Sequence, residues 1–354
     1  MPVPTTTIGA YPKPDYVPLR GWHEAKPEEE QGRHPSDPTR PLRERGRVDA
    51  DEEARLLDRA TREIVGEEAE IGIDVPTDGE VRREHYVFYH LRQLHGIDFE
   101  NLEERELRQG GWKAYVPVVR GPIQAGQRFL RHDWRSAQQA TDRPVKITVP
   151  GPLTIAGTIA DDHYADERAL CAALGDALNQ ELRDLAHAGC PWIQVDEPLF
   201  ARHPDKAASF GADNLARTLH KLPEETRTAV HVCCGYPAEL DQEDYPKADP
   251  GAYDQLAEPL EMAPVDAVSL EDAHRPADLS LLERFARTTV ILGCVDVARS
   301  RVEDPDDITS RLRQALEHID PHRLIAAPDC GLALMPRKLA RDKLRALVQG
   351  ARAV

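Results

Sequence analysis

Eight times along this chain a short apolar run gives way to a loop or helical pattern, and nearly every run ends in a polar or metal-capable residue. The runs are Thr5–Ala10, Asp74–Glu80, Val145–Gly151, Trp192–Pro198, Ala229–Gly235, Asp266–Asp272, Thr289–Asp296 and Arg323–Gly331. Eight strands alternating with helices predict an α/β fold, and the polar strand ends favour a TIM (β/α)8 barrel over a doubly wound sheet. Between them, Asp166–His187 carries apolar residues at helical spacing and stops before Gly189. Further helices are expected over Asp51–Gly66, Asn214–Lys221, Asp254–Met262, Leu279–Arg287, Asp306–Ile319 and Arg337–Gly350. Two stretches break the alternation. Pro12–Arg47, rich in Pro, Glu and Arg, predicts an extended N-terminal loop over one end of the barrel, and Gly110–Gly121 predicts an inserted hairpin. The whole of 1–354 reads as a single catalytic barrel.

A barrel of this kind places its chemistry at the C-terminal ends of the strands. Here those ends carry Glu80, Asp196 with Glu197, His231 with Cys233, Glu271 with Asp272, Asp296, and Cys330. In the stretch TAVHVCCGYP, alternation along a strand points His231 and Cys233 to one face and Cys234 to the other. One imidazole and one thiolate make half a zinc site. Glu271 from the next strand and Cys330 from the last complete a set of nitrogen, two sulfurs and a carboxylate, all good zinc donors. Asp272 is the alternative carboxylate, although Glu271 follows the apolar "VSL" in strand phase. Cys234 and Cys294 are expected in the core, and Cys171 and Cys190 have no assigned role.

Composition limits the partners. The net charge of -17 argues against nucleic acid, and no apolar run is long enough to span a membrane. The N-terminus has neither a basic nor an apolar signal region, so a cytoplasmic location is expected. Six cysteines spread over 354 residues do not form a disulfide framework.

The motifs "TTTIGAYP", "TDGE", "GPLTI", "IQVDEP", "HVC", "SLE" and "PDCGL" follow one another over almost the whole chain. Together they resemble the C-terminal catalytic half of cobalamin-independent methionine synthase and its short stand-alone relatives. The resemblance implies zinc held by His231, Cys233, Glu271 and Cys330, and a substrate ammonium held by Glu80 and Asp196. It implies methyl transfer to the thiol of homocysteine, ionised by the metal; Asp296, at its strand end, is expected to orient groups near the sulfur.

Three departures bear on the methyl donor. Full-length enzymes of that family carry a serine where this chain has Ala10, a tryptophan against the pterin where it has Thr158, and a proton-donating histidine where it has Ala298. These losses point away from methyl-folate and towards a corrinoid protein or another small donor. The tract from His231 to Glu303 also resembles the epoxyalkane:coenzyme M transferase branch, in which a thiolate opens an epoxide. Arg82, Arg83, Arg275 and Arg299 are the candidates there for a sulfonate. A non-catalytic, zinc-stabilised binding protein is the third reading, against which Glu80 and Asp196 weigh, since a purely structural metal has no use for them.

Overall fold

The computed structural model describes residues 2–19, 49–107 and 112–354. Beyond residue 19, the expected N-terminal loop lies outside the described residues. Six strands form a parallel sheet in the order β3 (Lys146–Pro150), β5 (Trp192–Asp196), β6 (Arg227–Val232), β7 (Ala267–Leu270), β8 (Thr289–Val295) and β9 (Leu324–Pro328). Parallel single bridges join Ala326 to Thr5, Thr6 to Val75, and Thr77 to Lys146. Two short staves thus link the edges of the sheet, and eight parallel staves complete the expected barrel.

Both faces of these strands are covered, so their burial is nearly unbroken. Alternation sorts the side chains. Ile193, Val195, Val230, Val232, Val268, Leu270, Val290 and Leu292 belong to the large core under the helices, whereas Trp192, Ala229, Ala267, Ile291 and Ile325 form a separate apolar cluster. That second cluster is the lower lumen, where one tryptophan fills the space left by alanines. Lys146 is also fully buried, and its Nζ lacks a hydrogen-bond partner. Burial pushes its ammonium down to about 7, against the charges of Asp196 and Glu68.

The helix Ala50–Ile71 shows how local chemistry sets an element. Asp49 caps it by accepting from the amides of Asp51 and Glu52, and Gly72, at φ 112°, closes it by donating to the Glu68 and Ala69 carbonyls. Its inner face buries Leu57, Ile64 and Val65, roughly 1.5–3 kcal/mol for each side chain. The other expected helices form close to their predicted bounds, with two changes. Residues Leu279–Arg284 form a 3-10 helix that ends at Phe285, and Ala212–Thr218 follows a π-helical turn, Ala207–Gly211. The helices Leu130–Gln138 and Pro152–Ala156 were not foreseen from the pattern. Among the described residues, no helix is long and apolar enough to cross a membrane.

The inserted hairpin is larger than Gly110–Gly121. Strands β1 (Leu94–Leu107) and β2 (Trp112–Ala125) pair antiparallel, and β2 pairs parallel with β4 (Ala160–Asp161). The first strand, LHGIDFENLEEREL, is rich in helix-forming glutamate, and pairing with β2 overrides that propensity. A register shift between Asp98 and Glu103 accommodates a turn in which Asp98 accepts from the amides of Glu100 and Asn101. Gly96, at φ 91°, lets this strand approach the carbonyls of Gly121 and Pro122, where a Cβ would clash.

Candidate metal and substrate site

The alternation that sends Val230 and Val232 outward turns His231 and Cys233 into the barrel mouth. His231 is in register with Ser269, and its Nδ1 lies 2.9 Å from the serine Oγ. Its Nε2 is buried with no hydrogen-bond partner. With Nδ1–H given to the serine, that nitrogen presents a lone pair to the mouth. The ligand atoms of His231, Cys233 and Cys330 all lie within 4.8 Å of one another. A hydrogen bond with Cys330 holds the Cys233 thiol well below its usual range despite burial, with His231 adding to the effect. The same bond, followed by burial, pushes the Cys330 thiol well up. All the cysteines are free.

Glu271 stands beside this triad rather than within the 4.8 Å group. It is buried, its Oε1 has no hydrogen-bond partner, and burial followed by the Cys233 charge pushes its carboxyl well up. Asp272 is already engaged. Both of its oxygens pair with Arg311, at 2.6 and 2.7 Å, and Oδ1 also accepts from the Ala277 amide at 2.8 Å. Of the two adjacent carboxylates, only Glu271 retains an uncommitted buried oxygen. Orphaned nitrogen and oxygen atoms beside two thiols are what a tetrahedral zinc site requires, so these residues fit that metal.

Glu80 and Asp196 line the same mouth. Glu80 sits in the left-handed region at φ 54°, a conformation uncommon for non-glycine residues. Its Oε1 accepts from Thr148 Oγ1 at 2.8 Å and lies 3.3 Å from Arg83 Nη1. Asp196, in register with His231, accepts from Gln194 Nε2 at 2.7 Å. Burial raises its carboxyl to about 7, the His231 charge opposing that and the Glu80 charge adding to it. The neighbouring Glu197 turns outward and caps the helix Pro152–Ala156, accepting from the amides of Leu153 and Thr154 and from Thr154 Oγ1.

Asp296 is bonded to His274. Nδ1 of that histidine lies 3.1 Å from Oδ2, and its Nε2 lies 2.9 Å from Tyr245 Oη. Asp329 accepts the amides of Asp272, Ala273 and His274 at 3.0, 3.0 and 2.7 Å, tying the loop after β7 to the residue preceding Cys330. Sequence reasoning missed Tyr245, His274 and Asp329. The available signal was position, since His274 lies three residues beyond Glu271 at a strand end and Asp329 stands beside Cys330. Cys234 and Cys294 lie in the core as expected.

The four arginines considered for a sulfonate are all engaged internally. Arg82 pairs with Asp58 and Asp133, and Arg83 with Asp78 and Glu80. Arg275 donates to the Ala248 carbonyl and to Cys234 Sγ, and Arg299 to the Asp241 carbonyl.

A methionine synthase of Thermococcus kodakarensis is 28% identical over 352 residues, which are 98% of this chain and 92% of that protein. One from Sulfolobus acidocaldarius is 28% identical over 352 residues, 98% of this chain and 91% of that one. The solved B12-independent methionine synthase from Shewanella sp. W3-18-1, in complex with selenomethionine, matches with a TM-score of 0.85 at 28% identity, covering 100% of this chain and 98% of that one. These relatives favour methyl transfer over epoxide opening. The catalytic domain of the cobalamin-independent synthases matches residues 3–353, and the chain therefore belongs to that family.

Proposed function

We propose that this protein makes methionine by transferring a methyl group to the sulfur of homocysteine, with zinc held by His231, Cys233, Glu271 and Cys330. The observation that carries this reading is the cluster of imidazole and two thiols within 4.8 Å, with an orphaned Nε2, at the mouth that Glu80 and Asp196 also line. When bound, zinc supplies the positive charge that ionises a substrate thiol at neutral pH.

The chain's own residues do the rest. Ser269 fixes the ring of His231 so that Nε2 faces the mouth. Thr148 and Arg83 orient Glu80, and Gln194 orients Asp196, so two carboxylates face the substrate ammonium. Asp329 holds the loop beyond Glu271. Holding the amino-acid end at these carboxylates places the sulfur over the cysteines and lowers the entropic cost of attack on the methyl carbon.

Calorimetric titration of the zinc-loaded protein with homocysteine, in buffers of different ionisation enthalpy, tests this. Binding with release of about one proton is expected when a thiol ionises at a metal. Preference for coenzyme M, or binding without proton release, would overturn it.

A further inference from the structure

Below the mouth, the lumen holds a charge that the thiol chemistry leaves unused. Lys146 opens β3 in register with Trp192 of β5, a member of the apolar cluster in the lower lumen. Alternation places Thr148, Gln194 and Asp196 on that same inner face, stacked towards the mouth. Lys146 is fully buried, and its Nζ has no hydrogen-bond partner. Gln194 stands between it and Asp196. The Gln194 Nε2 donates to Asp196 Oδ1 and to the Ile8 carbonyl, both at 2.7 Å, and its Oε1 is orphaned as well. Two carboxylates act on the lysine charge, Asp196 first and Glu68 of the helix Ala50–Ile71 second. Burial raises Glu68 to about 8, so at neutral pH it is protonated and Asp196 is the counter-charge that remains. At the mouth Glu80 already has Arg83 Nη1 at 3.3 Å. Among the described residues Asp196 makes no salt bridge, so a cation is wanted at Asp196 and not at Glu80.

We propose that Lys146 is the resident counter-ion of Asp196 in the empty pocket, and that docking of the substrate ammonium discharges it, the lysine proton leaving to solvent. This rests on the amino-acid reading of the site given above. The balance is Lys–NH3+ + substrate–NH3+ → Lys–NH2 + bound substrate–NH3+ + H+, with no electron transferred. One carboxylate cannot compensate two buried cations, and the lysine, which lacks hydrogen bonds, is the one that yields. Burial already brings Lys146 down to about 7, so a modest further shift completes the exchange near neutrality. Lys146 is thus a positioning residue that acts through Asp196. It keeps that carboxylate charged while the pocket is empty, and it couples the arrival of an amine to the loss of a proton.

Nuclear magnetic resonance of the zinc-loaded full chain, with lysine labelled at Cε, reads that charge directly, the Lys146 signal being assigned by its loss in Lys146→Met. Without ligand it should titrate near pH 7. Saturating methionine, which has the ammonium but no thiol proton, should lower the midpoint by at least about one unit, a tenfold change. The 2-hydroxy analogue of methionine, which lacks the ammonium, should leave it in place, a contrast that a merely structural lysine would not give. Lys146→Arg keeps its charge, so it should weaken methionine by about tenfold and the hydroxy analogue little, with zinc content unchanged. Should a variant fail to fold, one wild-type lysine signal moved by methionine and not by the hydroxy analogue still supports the exchange. Overturning results are no shift with methionine, equal shifts with both ligands, a Lys146 that does not titrate between about pH 5 and 9 without ligand, or a folded arginine variant that binds both ligands as the wild type does. Failure to bind methionine at all, read by calorimetry, would instead strike the amino-acid reading, and this proposal with it.

Discussion

Two strand ends each carry consecutive carboxylates, and the inward and outward members of each pair differ in one respect. At β5 the inward Asp196 accepts from the Gln194 side chain, while the outward Glu197 takes three donors from the helix Pro152–Ala156. At β7 the inward Glu271 keeps an unpartnered oxygen, while Asp272 is saturated by Arg311 and an amide. Period-2 alternation separates carboxylates available for a ligand from carboxylates that hold the fold. Adjacent residues of the same chemistry therefore do different work, and the contrast can be broken from either side.

The largest expected effect lies on the inward side. Cys330→Ser should remove most of the bound zinc and the activity while the barrel stays folded, read by metal analysis and circular dichroism. Full zinc with full turnover would refute the ligand assignment. Glu271→Gln should lower zinc affinity by about 10–100-fold with little change in the melting of metal-free protein, on the scale of disrupting one partner at a metal site. Unchanged affinity would leave the fourth ligand to be found elsewhere.

On the outward side the sign reverses. Asp272→Ala should retain stoichiometric zinc but cost about 2 kcal/mol, less than a fully buried pair because the Arg311 side chain is 25% exposed. Loss of zinc without loss of stability would erase the distinction. The smallest effect is in pH. Burial raises Glu68 to about 8 from 4.5, against donors from Thr77 and Thr7 and the charge of Lys146, with Asp78 adding to the rise. An acid whose folded pKa lies above its unfolded value contributes stability below about 4.5 that is lost as pH rises. Denaturation midpoints should therefore fall between about pH 4.5 and 7, above which Lys146 contributes with the opposite sign. Glu68→Gln should make that limb shallower without abolishing it, because Asp196, Glu197 and Asp329, each raised to about 7, titrate with the same sign, and an unchanged slope would reject the assignment.

The strand runs were legible because nearly every one joins a buried parallel stave to a polar end, and such runs stand out without knowledge of their neighbours. His231 and Cys233 were legible for the same reason, since two residues apart on a strand means one face. The strand Leu94–Leu107 was not, because its glutamates favour a helix and only pairing with Trp112–Ala125 decides otherwise. Strand phase favoured Glu271 over Asp272, but that Asp272 is engaged by Arg311, thirty-nine residues away, was not legible in the sequence.

The sequence by itself determined the eight-stave order, the face on which each strand-end side chain falls and the donor types gathered at the mouth, because these follow from local periodicity and short-range chemistry. Tertiary structure decided which carboxylates are spent on the fold, that all four candidate arginines are engaged internally, and that Tyr245, His274 and Asp296 meet across three strand ends. Those outcomes depend on which donor reaches which acceptor in three dimensions, a long-range competition for hydrogen bonds that no window of neighbouring residues contains.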